Sequence, residues 1–136
     1  MAVKKPAVEE LRRSPTMSHL LDALERGEDI GHYGRLTFAM AAHHYLDKEE
    51  LLEVLLKGKG VDEGDAKALV QQVVERDYNP PKRERILEWQ SKQEFPICPN
   101  PEDPDACNLY QELELPEKVF AQIQEYREQQ FEADEE

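Results

Sequence analysis

Two cysteines, Cys98 and Cys107, stand near the ends of the proline-rich stretch FPICPNPEDPDAC, which contains no lysine or arginine. Thiolates are soft metal ligands, so a pair in one loop makes half of a four-thiolate site and asks for a second half elsewhere. A different chemistry is suggested by GHYGR, where His32 and Arg35 are three residues apart and therefore neighbours on one helix face. Placed in a first helical turn, they join unpaired backbone N–H groups and the positive dipole end, an arrangement suited to phosphate. The bland alternative is a helix start whose glycines relieve crowding, with Arg35 paired to Asp29 or Glu28. In PPKRERILEW, Lys82, Arg83 and Arg85 precede Trp89, a mixture of cations and an aromatic that suits single-stranded nucleic acid. Here the alternative is a solvated turn with Trp89 in the core. His43 and His44, adjacent on one helix, would point about 100° apart, so they are not expected to grip one ion, and His43 is read as facing the core or a partner. No local spacing supplies a nucleophile with its base, and an independent metallohydrolase lacks a ligand set.

The elements that must position these groups are all helical. Ser14 caps and Pro15 opens a helix with Met17, Leu20, Leu21 and Leu24 on one face and Gly27 as its stop. From Ile30 to Leu46 the positions Leu36, Ala39, Met40 and His43 keep helical spacing. Asp47 caps a short helix with Leu51, Leu52, Leu55 and Leu56 inward, and GKGVDEG is a turn. A helix from Asp65 to Tyr78 buries Leu69, Val70, Val73 and Val74 until NPP breaks it, and Pro81 opens another through Trp89. Residues 95–115 read as a long loop, and Pro116 begins a last helix with Val119, Phe120, Ile123 and Arg127 on one side. The expectation is an all-α bundle of five or six helices with a long acidic, proline-rich loop. A linker or short helix over residues 1–13 precedes one domain at 14–127, and an acidic tail follows at 128–136.

The chain has 136 residues, 39% hydrophobic and 35% charged, with a net charge of −13. No apolar run approaches the roughly 20 residues that span a bilayer, and the start lacks a signal-peptide core, so a soluble, cytoplasmic protein is expected. The charge at first argues against nucleic acid, whose phosphates reward lysine and arginine. The acids are unevenly spread, however: the stretches Glu94–Glu117 and Glu128–Glu136 contain acidic residues and no basic one. The remainder is nearly neutral, which leaves room for a local basic patch.

Taken in order, SPTM with its leucines, GEDI, HYGR, then Tyr78 with Pro80 and Pro81, then ICP and a last cysteine, the chain resembles the C-terminal domain of the large subunit of archaeo-eukaryotic DNA primases over residues 14 to about 110. That family binds a [4Fe–4S] cluster through four cysteines. The resemblance places the first on Thr16, the second on Arg83 and the last two on Cys98 and Cys107. With two of four thiolates present no cluster and no other cofactor is expected, and the cysteines could be free, bridged, or shared with a zinc ion. The resemblance further implies that Thr16 and Arg83 lie beside the cysteine loop, where Arg83 could meet Glu102, Asp103 and Asp105. It implies that His32 and Arg35 hold the 5′-triphosphate of the initiating nucleotide, although Gly31 stands where the family often has a basic residue. It places Gln71 and Gln72 near template, with no tyrosine alongside. The implied role is a non-catalytic primase accessory or initiation domain that works with a catalytic subunit, a single-stranded DNA template and the first nucleotide. The rival is a protein–protein interaction module of a replication complex that has lost nucleic-acid binding along with its cluster.

Overall fold

The computed structural model describes residues 5–103 and 106–113. Among the described residues it contains seven α-helices and no strand: α1 (Lys5–Leu11), α2 (Pro15–Glu25), α3 (Gly31–Ala42), α4 (Lys48–Leu55), α5 (Glu63–Arg76), α6 (Arg83–Gln90) and α7 (Leu109–Glu112). The all-α expectation holds, with more helices than the periodicity suggested. None of them is long and apolar enough to cross a membrane. The expected final helix and the acidic tail lie outside the described residues.

α2 starts as its sequence dictates. The Ser14 hydroxyl accepts from the Met17 N–H at 3.1 Å, and Pro15 occupies the first turn where its missing N–H costs nothing. Met17, Leu20, Leu21 and Leu24 are all buried, as their spacing requires. α4 carries a full capping box in which Asp47 and Glu50 each accept the other's backbone N–H. Leu51 and Leu55 are buried, but the helix ends at Leu55, and Leu56, expected inward, is turned out to 38% exposure.

α3 lies at the centre, packed on α2, α4, α5 and α6. Its buried Gly34, Ala39, Ala41 and Ala42 are small enough to let four helices approach, and Phe38 fills the space between. The helix stops at Ala42, short of the expected Leu46. His43 is its C-cap, and the His43 Nε2 is 2.6 Å from the Tyr78 carbonyl on the far side of α5. α5 begins earlier than expected, because Asp62 caps it by accepting from the Asp65 N–H at 2.7 Å. α6 opens at Arg83 rather than at Pro81.

The segment read as a long loop is tied down. Cys98 and Cys107 form a disulfide with a Cα–Cα distance of 5.6 Å, and both are buried. α7 interrupts the segment, and its Glu112 accepts from the Ser14 hydroxyl and from the Thr16 N–H, so a carboxylate rests on the N-terminus of α2. The Tyr110 hydroxyl donates to the Pro80 carbonyl.

Candidate nucleic-acid interface

Between α3, the turn after α5, α6 and α7 lies a cleft of about 710 Å³. Gln72, Lys82, Arg85 and Trp89 line it, and those four were singled out in sequence for contact with nucleic acid. The fold adds Tyr78, Asn79 and Tyr110, while Leu36, Met40, Pro80 and Pro81 supply an apolar floor and Glu84 one carboxylate. Each side chain has a positional cause. NPP forces the chain out of α5 in an extended course, which brings Tyr78 and Asn79 to the rim and lets α6 begin nearby with its cations in the first turn. Trp89 follows one helical turn after Arg85, so the guanidinium lies over the indole at 6.0 Å.

The rings form a ladder. Trp89 stacks on Tyr33 at 5.6 Å, and Tyr33 meets His32 edge-on at 5.4 Å. The two motifs GHYGR and PPKRERILEW are therefore neighbours in space, joined through aromatic contacts. The Gln72 amide donates to the Tyr78 hydroxyl at 3.3 Å, so a tyrosine does stand beside Gln72, supplied by the turn rather than by the helix. That hydrogen bond, aided by the positive charge of Arg76 and opposed by partial burial, holds the Tyr78 phenol below its usual 10.0. The Asn79 Oδ1 is buried without a hydrogen-bond partner. Asn79 carried no signal in the sequence, because only the NPP turn places it there. Gln71 faces away and donates to Glu75 at 3.0 Å.

The start of α3 is already occupied. Asp29 Oδ1 accepts from the Gly31 N–H at 2.9 Å and from Arg35 Nη1 at 3.0 Å, while the Gln93 side-chain oxygen accepts from the Tyr33 N–H at 3.0 Å. Gly31 has φ 78°, which favours glycine, and a Cβ there would push the Gln93 amide from its place against α3. His32 is exposed, whereas the Arg35 side chain is 11% exposed. A phosphate reaching Arg35 would have to displace Asp29, whose own side chain is 54% exposed. The carboxylate already stands where an anion would.

The four positions that the family resemblance assigned to a cluster do not make a cluster site. Cys98 and Cys107 are bonded to each other, Thr16 offers a buried hydroxyl with no hydrogen-bond partner, and Arg83 is a cation. That donor set does not fit iron–sulfur ligation. Arg83 instead gathers the cysteine loop: Nε donates to the Ala106 carbonyl at 3.0 Å, and Nη2 to the carbonyls of Pro101 at 3.0 Å and Asp103 at 3.2 Å. Its bonds run to the main chain of that loop rather than to the expected carboxylates, of which Asp105 lies outside the described residues. Arg83 is thereby turned away from the cleft that Lys82 and Arg85 line. No family model matches the chain, and neither a curated protein nor a solved structure is significantly similar to it.

Proposed function

We propose that this chain is a non-catalytic DNA primase accessory domain. It binds single-stranded template and the 5′-triphosphate end of the initiating nucleotide, and works in the cytoplasm beside a separate catalytic subunit. The observation that carries the reading is the cleft. Tyr78, Trp89 and Tyr110 offer ring faces and edges to bases, Lys82 and Arg85 offer charge to the backbone, and Gln72 and Asn79 offer amides. The convergence of Arg83, Cys98 and Cys107 on one corner also supports it, because three of the four positions brought together by the resemblance are together in the fold. Holding a nucleotide beside its reaction partner raises the effective concentration of the pair, which is how a domain without catalytic groups assists bond formation. In this reading the triphosphate takes the place of Asp29 on Arg35 and the Gly31 N–H, with His32 as the exposed second donor.

One observation favours the interaction-module reading instead: the buried Arg35 guanidinium is already paired with the Asp29 carboxylate. Fluorescence anisotropy with triphosphate-ended and hydroxyl-ended oligonucleotides, at several salt concentrations, separates the two. The expected result is weak, salt-sensitive binding with a triphosphate preference. Lys82→Ala and Arg85→Ala should weaken binding to both ends, and Trp89→Ala should cost about 1–3 kcal/mol of stacking. Asp29→Asn keeps an acceptor for the Gly31 N–H and frees the guanidinium, so it should increase the triphosphate preference. Absence of binding at low salt, or equal binding by wild type and the three cleft variants, would leave the interaction module as the better account.

A further inference from the structure

Outside the cleft, the early end of α3 creates a second grouping. Because His43 and His44 stand in the turn rather than inside a helix, their imidazoles do not diverge as helical neighbours would, and the ring centroids lie 3.9 Å apart. Asp77 faces them from the end of α5, with its Oδ1 3.9 Å from His43 Nδ1. Each of the three half-buried residues offers one ligand atom, and those atoms all fall within 4.8 Å of one another. We propose that His43, His44 and Asp77 form a binding site for a divalent transition-metal ion of the zinc class.

The arrangement has the features such a site needs. Zinc bonds to imidazole nitrogen and carboxylate oxygen are about 2.0–2.2 Å long, so one ion spans ligand atoms about 3–4 Å apart with small side-chain rotations. The Tyr78 carbonyl can only accept, so His43 Nε2 is the protonated nitrogen of the 2.6 Å contact. In the neutral ring this leaves the Nδ1 lone pair directed at the Asp77 side, and a backbone carbonyl on the other ring nitrogen is the usual outer partner of a metal-bound histidine. The 3.9 Å between Nδ1 and Asp77 is too long for a hydrogen bond and suitable for an ion between them. Two imidazoles and one carboxylate match the preference of zinc, and leave a fourth position for water. The cysteines are bonded to each other. Asp77 is also the left-handed C-cap of α5, at φ 48°. An ion there joins the ends of α3 and α5 and steadies the neighbouring Tyr78, which forms part of the cleft wall.

The test uses the full chain without an affinity tag, stripped of metal by chelation and titrated with Zn2+ by calorimetry and with Co2+ by visible absorption. One equivalent should bind, and Co2+ should give the d–d bands of a four-coordinate nitrogen–oxygen site. Asp77→Asn keeps a residue that tolerates the left-handed conformation, and together with His44→Gln it should weaken Zn2+ by at least about ten-fold. His19→Ala should leave Zn2+ binding unchanged. Each variant is read only with wild-type helical circular dichroism. Imidazole NMR of the wild type gives a reading independent of variant folding: Zn2+ should move the signals of His43 and His44 and leave those of His19 and His32. Absence of stoichiometric binding, undiminished affinity in Asp77→Asn and His44→Gln, or shifts confined to other histidines would overturn the proposal.

Discussion

Tyr78 serves two neighbourhoods, since its carbonyl meets the His43 ring and its phenol takes the Gln72 amide. The second contact makes a prediction at the scale of one residue. A hydrogen bond to the phenolate oxygen favours the ionised form, so Tyr78 should titrate below 10.0 in an ultraviolet titration. The sign for stability follows. Because the folded value is depressed, the contribution is absent at neutral pH, where the phenol is protonated in both states, and is fully present only above the unfolded value near 10.0. Gln72→Ala should move the early titration back toward 10.0, and an unchanged profile would remove Gln72 as the cause. At this scale the sequence disclosed residue types and missed geometry. Lys82, Arg85 and Trp89 could be picked out by composition, and each does line the cleft. The occupation of Arg35 by Asp29 appeared only as the bland alternative, because i, i+3 spacing says which residues are neighbours and not which carboxylate reaches them first.

Arg83 links α6 to the disulfide loop through three main-chain carbonyls. Pro101 and Asp103 lie on the surface, where water can replace the guanidinium, so Arg83→Ala should cost only about 1–2 kcal/mol in urea unfolding. The disulfide closes a loop with a sequence separation of 9, for which chain entropy gives about 2–3 kcal/mol. A Cys98→Ser, Cys107→Ser double variant should therefore be the less stable of the two. Combining the changes should cost less than the sum, since both restrain one loop. Strict additivity would mean that the two ties act on separate pieces of structure. Helix starts were the most legible elements: Ser14 and Asp47 act as the caps that their side chains announce. Helix ends were less so. No glycine or proline marks the stop at Ala42, and the contact made by His43 comes from a residue 35 positions later. The start of α5 is hidden because Asp62 belongs to the turn GKGVDEG, and its role as a cap shows only in the hydrogen bond that its carboxylate accepts from the Asp65 N–H.

Across the described residues charge keeps mostly to the surface, with Arg35 as the buried exception. The apolar faces of α2, α4, α5 and α6 close around α3, and among the described residues the core is mostly leucine, alanine, valine and isoleucine, with Met17, Phe38 and the bridged Cys98 and Cys107, so its packing rests on apolar side chains. Protein purified without oxygen should therefore be helical, lack iron, and show no broad absorbance at roughly 400 nm; about four irons per chain would contradict this. The all-helical class was legible because apolar spacing persists through each segment, while the order of the cysteine loop was not, since a disulfide and an arginine across sequence leave no local period. That corner also carries its own clock. Cys98 and Cys107 are 0% and 1% exposed, so a thiol can attack the bridge only when the loop opens, and the rate of reduction counts those openings. Tyr110, three residues beyond Cys107, lines the cleft. Anything that settles against Tyr110 should hold the corner shut and slow the chemistry of sulfur atoms it never touches.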